Sequence, residues 1–304
     1  MRILVTGGAG FIGSHVVEAY LGEGHTVEVM DTLVTGRRQN LPAGVRIHQT
    51  DIRSTEAAGV FEAFRPEVVN HLAAQASVKV STADPLFDLD VNGGGTARIA
   101  MLAAEYGVQK LIYSSTGGAL YGEPEFVPVP ETHPIRPLSP YGQSKRVGEL
   151  YVELVGRTRG LQWTILRYAN AYGPRQDPHG EAGVCAIFTG LMLAGDTCTI
   201  DGDGEQLKDY VYVGDIARAN VLALTKGDGA AINIGTGKGT SVNTIFATLQ
   251  RSIGNTQPAR YGPPRPGDVR NIWLDSSLAQ QTLGWQHEVP FDEGIKRTVE
   301  SAAR

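Results

Sequence analysis

Tyr141 and Lys145 stand four residues apart in a segment, Tyr141–Arg157, that reads as an amphipathic helix. That spacing puts both side chains on one helix face. A free tyrosine ionises near pH 10, so to accept a proton near neutrality its pKa must fall by about three units, roughly 4 kcal/mol of preference for the phenolate. An ammonium one turn away has the right sign for that. The pair could therefore serve as a general base for a hydroxyl proton. Tyr-x-x-x-Lys is also frequent by chance, and the alternative is a Tyr and a Lys on an ordinary surface helix. The rest of the chain has to decide between them.

A second group of residues is built for phosphate. Thr6-Gly7-Gly8-Ala9-Gly10-Phe11-Ile12-Gly13 lies between an apolar strand, Ile3–Thr6, and a helical pattern, Phe11–Leu21. Glycines at 7, 10 and 13 permit a tight turn, close approach to a pyrophosphate and close packing of helix on strand. The helix N-terminus then offers free N–H groups to the phosphates. Asp31 ends the next predicted strand, where an acid takes both ribose hydroxyls, so a dinucleotide is the expected ligand. The same carboxylate would repel a 2′-phosphate, which favours NAD over NADP. Arg37 and Arg38 read as solvated surface arginines, with phosphate readers as the alternative. Asp51-Ile52 follows the third strand and could meet the adenine. His71-Leu72-Ala73-Ala74 ends the fourth, where small side chains let the cofactor pass; His71 itself reads as a satisfied buried histidine. Ser114-Ser115-Thr116 ends the fifth. A positively charged nicotinamide near Tyr141 would add to the effect of Lys145.

The elements that must position these groups alternate. Thr26–Asp31, Val45–Thr50, Val68–His71, Lys110–Ser115 and Trp163–Arg167 read as strands, and Thr55–Phe64 and Pro85–Tyr106 as helices. This alternation predicts an α/β protein with a parallel sheet covered by helices. Asn92-Gly93-Gly94-Gly95-Thr96 lies inside the long predicted helix, where each Gly costs about 0.8–1.0 kcal/mol against Ala. It implies close approach to the sheet or cofactor, or else a kinked helix. Beyond Tyr168 the pattern is irregular. Gly173–Gly183 and Tyr261–Gly267 read as loops. Ala182–Ala194, Val213–Thr225, Val242–Ser252, Ser277–Leu283 and Phe291–Ala302 read as helices, and Thr197–Ile200 and Ala231–Ile234 as short strands. The expected organisation is a nucleotide-binding domain over 1–167, with part of 210–235 returning to it, and a smaller lobe over 168–304.

Composition narrows the setting. Thirty-eight glycines in 304 residues exceed the usual share of about 7%, yet no repeat accompanies them, and 41% hydrophobic residues suffice for a core. A net charge of −5 makes nucleic acid an unexpected ligand. Cys185 and Cys198 form no disulfide framework. No apolar run approaches ~18 residues, so no membrane span is expected. Met1-Arg2-Ile3-Leu4-Val5 is too short an apolar stretch for a signal segment, and a cytoplasmic protein is expected.

Together these motifs resemble the extended short-chain dehydrogenase/reductase family, and within it the NAD-dependent sugar-nucleotide epimerases and dehydratases. The resemblance spans nearly the whole chain. It is carried by TGGAGFIG at 6–13, Asp31 through Gly36, Asp51-Ile52, HLAA at 71–74, SSTGGALYG at 114–122, YGQSK at 141–145 and RYANAYGPRQ at 167–176. DGDGEQLKDYVYVGD at 201–215, NIGTGKGTSV at 233–242, RPGDV at 265–269 and LGW at 283–285 continue it. The pattern is most similar to UDP-glucose 4-epimerases of the shorter prokaryotic type. It implies a Rossmann-type doubly wound sheet with a smaller α/β substrate-binding lobe. It also implies tightly bound NAD and transient oxidation of a UDP-sugar at C4, with Tyr141 as base, Thr116 as its hydrogen-bond partner and Lys145 lowering the tyrosine pKa. Related dehydratases place Asp-Glu directly after this Thr, and related decarboxylases a Glu; here Gly117-Gly118 stands instead, which points to plain epimerisation.

The family pattern further implies cofactor contacts from Gly7, Gly10, Phe11, Ile12, Asp31, Leu33, Thr35, Gly36, Asp51, Ile52, Leu72, Ala73, Ala74, Gln75, Asn92, Ser114, Tyr141, Lys145 and Tyr168. Substrate contacts are implied for Thr116, Asn170, Val184, Thr199, Lys208, Val242, Arg265 and Asp268. Two residues depart from it. Lys208 replaces a usual Arg, keeping charge without the bidentate fork, and Asp201 replaces an apolar residue beside the uracil. Ile272 matches a position that sets pocket size. Relatives dimerise through the counterparts of Pro85–Tyr106 and Tyr141–Arg157, so a homodimer is implied. The alternatives are a UDP-N-acetylglucosamine or UDP-glucuronate 4-epimerase, or a non-catalytic NAD-binding regulator; regulators of this fold commonly lose the Tyr–Lys pair, and this chain keeps it.

Overall fold

The structure, a computed structural model, describes residues 1–178, 183–264 and 269–303. In chain order the first part runs β1 (Arg2–Thr6), α1 (Phe11–Gly22), β2 (Thr26–Met30), β3 (Arg46–His48), α2 (Ala57–Phe64), β4 (Val68–His71), α3 (Val78–Ala83), α4 (Pro85–Leu89), α5 (Gly95–Glu105), β5 (Lys110–Thr116), α6 (Pro140–Arg159) and β6 (Gln162–Tyr168). The remainder is β7 (Asn170–Tyr172), α7 (Val184–Ala194), β8 (Thr199–Asp201), β9 (Leu207–Lys208), β10 (Tyr210–Tyr212), α8 (Val213–Ala223), β11 (Ala230–Ile234), β12 (Thr240–Ser241), α9 (Val242–Ile253), β13 (Arg260–Gly262), β14 (Asn271–Ile272), α10 (Ser277–Leu283) and α11 (Phe291–Ala302).

One seven-stranded sheet has the order β11-β6-β5-β4-β1-β2-β3, and every pairing in it is parallel. A parallel sheet is buried on both faces, which is why β1 carries the unbroken apolar run Ile3-Leu4-Val5, fully buried. One face packs Val16, Val17 and Tyr20 of α1 with Ile216 and Ala219 of α8; the other packs Phe61, Ile99 and Val152 of α2, α5 and α6. The order reverses between β1 and β4. In such a doubly wound sheet the loops diverge there and leave a crevice at the carboxyl ends of the strands. A third core, with Tyr172, Phe188, Ile245, Leu249 and Ile295, lies outside the sheet and joins α7, α9 and α11.

The structure corrects several elements. The expected single helix Pro85–Tyr106 is α4, a π-helical turn over Asp90–Gly94, and α5. A Cβ on Gly93 would sit 3.0 Å from Val147 of α6, and one on Gly95 2.5 Å from Ile52, so these glycines serve a bent helix that is also closely packed. Helix α3 was not expected; Ser77 starts it, its hydroxyl accepting from Val80 N at 2.9 Å. Strands β7, β9, β10, β12 and β14 are two or three residues long, too short to show a period of two. Asp31 stands one residue beyond β2 rather than in it, and Tyr261-Gly262 belongs to β13 rather than to a loop. Ala182 of the expected helix and parts of both predicted loops lie outside the described residues.

Candidate active site

The glycine loop is fixed by backbone contacts that leave no room for side chains. A Cβ on Gly7, whose φ is +70°, would meet Ala73 N at 2.6 Å; one on Gly13 would meet the Gly7 carbonyl at 2.2 Å. The loops after β1 and β4 are thus pressed together at the reversal of strand order, and Leu72 N and Ala73 N donate to the Thr6 carbonyl and hydroxyl at 3.1 and 3.2 Å. Helix α1 begins at Gly10 with no side chain capping it, so the N–H groups of its first turn, Phe11 and Ile12 among them, are available to an anion. Asp31 holds the neighbouring loop: its Oδ2 accepts from Ala9 N at 3.0 Å and its Oδ1 from Leu33 N at 2.9 Å. Gly36 packs on that carboxylate, where a Cβ would lie 2.8 Å from Oδ1, and Thr35 beside it is exposed. This cradle has the free backbone donors and the acid that a dinucleotide requires.

Other expected cofactor contacts prove to be engaged within the protein. Arg53 forks the Asp51 carboxylate, with Nη2 at 2.7 Å, and holds it below the usual carboxylate range. Ile52 is buried against Gly95. Asn92 Oδ1 accepts from Gln75 N at 2.8 Å, while its Nδ2 reaches the Gln75 carbonyl, Asp88 Oδ1 and Ser144 Oγ. Ser114 and Tyr168 share a hydrogen bond of 3.0 Å, and the Tyr168 hydroxyl continues to Asn220 and thence to Asn70 and Tyr20 beneath the crevice. His71 is buried, bridging the hydroxyls of Thr6 and Thr96 at 2.6 and 3.0 Å; burial pushes its pKa down to about 3, so it is neutral. Arg37 is a surface arginine, as expected, and pairs there with Asp177 at 2.5 Å.

Tyr141, Lys145 and Thr116 converge. Ser139 caps α6 through its hydroxyl, which accepts from Gly142 N at 3.1 Å, and Pro140 occupies the first turn. Two glycines let this helix lie on β5: Cβ atoms would fall 2.4 Å from the Ala119 carbonyl at Gly142 and 2.3 Å from the Tyr113 hydroxyl at Gly148. The close packing sets the Tyr141 phenol beside Thr116, whose hydroxyl favours the phenolate and whose Oγ1 accepts from Ala119 N at 3.2 Å. Lys145 Nζ sits 4.4 Å from the centroid of the Tyr113 ring.

The electrostatics differ from the expectation. Burial pushes the Tyr141 phenol up to about 12, with the Asp88 carboxylate acting in the same direction and the Thr116 hydrogen bond opposing. Burial likewise pushes Lys145 down to about 8, against Glu149 and Asp88, which favour its charged form. Within the protein by itself, loss of water dominates both groups.

Directly after Thr116, at Gly117, there is no room for an acid. A Cβ on Gly117 would stand 2.4 Å from Leu274 Cδ1, while one on Gly118 would make ordinary contact with the Asn170 amide at 3.6 Å. Asn170 opens β7 and its Nδ2 donates to the Asp209 carbonyl at 3.1 Å. Lys208 on β9 pairs with Thr240 of β12, which leads directly to buried Val242 at the start of α9; Lys208 Nζ donates to the Val269 carbonyl. Val184 begins α7, and Ile272 is buried on β14. Thr199 stands apart, exposed on the β8–β13 pair that Asp201 ends. Arg265 and Asp268 lie outside the described residues.

Sequence reasoning missed three buried acids near the site. Glu149 is clamped by Arg167 Nε and Nη2, both at 2.9 Å, and by Arg146 Nη1 at 2.7 Å. Asp209 accepts from Thr236, Gly237 and Leu274 backbone N–H groups and ties the loop after β11 to β14. Asp88 lies behind the Tyr–Lys pair. Glu149 had a signal, one helical turn past Lys145 on the same face, and Asp209 lay within the quoted 201–215 motif.

A seven-stranded doubly wound sheet with a pyrophosphate cradle at its switch point and a Tyr–Lys pair beside it defines a Rossmann-type nucleotide-dependent enzyme. The family model for the NAD dependent epimerase/dehydratase family matches residues 3–235, and the chain belongs to that family. It is 44% identical to a UDP-glucose 4-epimerase of Mycolicibacterium smegmatis, over 99% of this chain and 98% of that one. The crystal structure of UDP-glucose 4-epimerase with UDP-glucose from Thermotoga maritima superposes with a TM-score of 0.97 at 50% identity, covering 99% and 98% of the two chains. A Thermus thermophilus UDP-glucose 4-epimerase complex with NAD gives 0.93 at 46% identity, again over 99% and 98%.

Proposed function

We propose that this chain interconverts UDP-glucose and UDP-galactose by transient oxidation at sugar C4. The observation that carries this reading is the meeting of Tyr141 with Thr116 in a site whose next residue, Gly117, has Leu274 where an elimination acid would have to stand. NAD, when bound, supplies the acceptor and later the donor of the C4 hydride. The first turn of α1 holds the pyrophosphate and Asp31 the adenosine ribose. Tyr141 takes the proton of the 4-hydroxyl and returns it, Thr116 orients that exchange, and Lys145 supplies the cation that favours the phenolate and positions the second ribose. The family pattern assigns substrate contacts to Asn170, Val184, Thr199, Lys208, Val242, Arg265 and Asp268.

The chain acts as a homodimer. Leu86, Phe87, Met101, Leu150, Tyr151 and Leu154 are exposed apolar side chains on α4, α5 and α6. A second copy would cover them in a bundle of helices. Two free, buried cysteines suit a reducing cytoplasm. Among the described residues no helix is long and apolar enough to cross a membrane.

The test is conversion of UDP-galactose to UDP-glucose by the purified protein with no NAD added. Product is expected, and Tyr141→Phe should lose about 10²–10⁴-fold in turnover while keeping its NAD. Protein carrying NAD that makes no UDP-glucose refutes the reading.

A further inference from the structure

Asp88 is wholly buried on α4, against α6. Its Oδ1 accepts from Gln75 Nε2 at 2.6 Å and from Asn92 Nδ2 at 3.1 Å, both neutral donors, and its Oδ2 has no hydrogen-bond partner. The same Asn92 Nδ2 reaches Ser144 Oγ, and Ser144 stands on α6 between Tyr141 and Lys145. A carboxylate withdrawn from water without a cation is costly, and a structure retains one only where the surroundings repay it.

Two buried acids favour the charged form of Lys145, Glu149 more than Asp88, and of the two only Asp88 lacks an arginine partner. On α6, Glu149 is neutralised by Arg167 and Arg146. From β4, His71 is neutral and hydrogen-bonded to Thr6 and Thr96. From β5, Tyr113 is a buried phenol held well above its ordinary pKa, chiefly by burial. Arg53, near the start of α2, is taken by Asp51 and Asp90.

We propose that Asp88 is a positioning residue for the Tyr141–Lys145 pair: its buried negative charge, fixed by Gln75 and Asn92 and tied through Asn92 to Ser144 on α6, adds to Glu149 in favouring the Lys145 ammonium and raises the pH at which Tyr141 yields its proton. The inference rests on Tyr141 and Lys145 being the acid–base pair. Asp88 acts on both partners in one sense. Its charge favours the charged form of Lys145 and disfavours the phenolate of Tyr141, so both groups titrate higher with it than without it. Removing the charge lowers both, so both limbs of the profile move in one direction.

The experiment is the pH dependence of turnover for the wild-type holoenzyme, Asp88→Asn and Asp88→Glu, with Tyr141→Phe as control. Asp88→Asn keeps the shape and the acceptor for Gln75 and Asn92 but removes the charge. Charges in close contact shift a pKa by about 1–3 units, and one acting through an intervening amide belongs at the low end. Both limbs of the Asp88→Asn profile are therefore expected to move about one pH unit toward acid, while Asp88→Glu stays at the wild-type position. A second readout needs no turnover. The phenolate absorbance that Tyr141→Phe removes should appear about one unit lower in an Asp88→Asn background than in wild type. If Asp88→Asn does not fold, Asp88→Ser is read in the same way. A profile that falls in height but not in position overturns the inference while leaving the Tyr–Lys reading intact. Normal turnover by Tyr141→Phe overturns that reading and the inference with it.

Discussion

Replacing Arg167 by Met isolates the ion pair that supports the catalytic helix. Glu149, one turn past Lys145, is fully buried, and Arg167 on β6 forks it with two hydrogen bonds of 2.9 Å while donating a third, of 3.0 Å, to Tyr121. Removing one partner of a buried pair costs about 3–5 kcal/mol, mostly because the other charge is stranded. Arg146, partly exposed and 2.7 Å from Oε2, remains as a counter-ion, so the low end, about 3 kcal/mol, is expected. At about 2.1 cal/mol/K per residue, that loss lowers the melting temperature by about 5 °C. Scanning calorimetry at constant NAD concentration measures it. Burial works to raise the Glu149 pKa, but Arg167, Ser115 and Arg146 outweigh it and hold it below its ordinary value. The stabilisation is therefore present above the unfolded carboxylate pKa of about 4.3 and is lost as pH falls through the folded value. The gap between wild type and Arg167→Met should narrow in acid, and Arg167→Met with Glu149→Leu should regain much of the loss. A melting temperature within about 1 °C of wild type at neutral pH would refute the reasoning.

Other expectations follow from single contacts. Gly13→Ala puts a methyl 2.2 Å from the Gly7 carbonyl, so the protein should purify without NAD; absorbance and released nucleotide check this. Turnover should decline as pH rises through about 8, where Lys145 loses its proton, and a profile flat to pH 10 would contradict that assignment. Leu150→Glu on the exposed face of α6 should convert the proposed dimer to monomers in light scattering with the fold retained by circular dichroism.

The order of the sheet was legible because each βα unit carries its own punctuation: a short apolar run, glycines, then helical period. Tyr141 and Lys145 were legible because four residues on one helix share a face whatever surrounds them. What sequence could not convey is how much water the fold removes. The types and spacing of Tyr141 and Lys145 predict a lowered phenol; the depth at which α6 lies on β5 pushes it to about 12. Asp88 was hidden because Pro85–Tyr106 reads as one regular helix, and only the π turn at Asp90–Gly94 and the contact with Gln75 explain its direction. The clamp between Glu149 and Arg167 joins a helix to a strand across the turn at Gly160, a pairing no local period announces.

The central claim is that the hydride leaves C4 and returns to the same carbon within one binding event. UDP-galactose carrying deuterium at C4, incubated with the protein as purified, tests it directly. The account predicts UDP-glucose with the deuterium still at C4 and none in the water. Loss of the label to solvent, or its appearance elsewhere in the sugar, would contradict it.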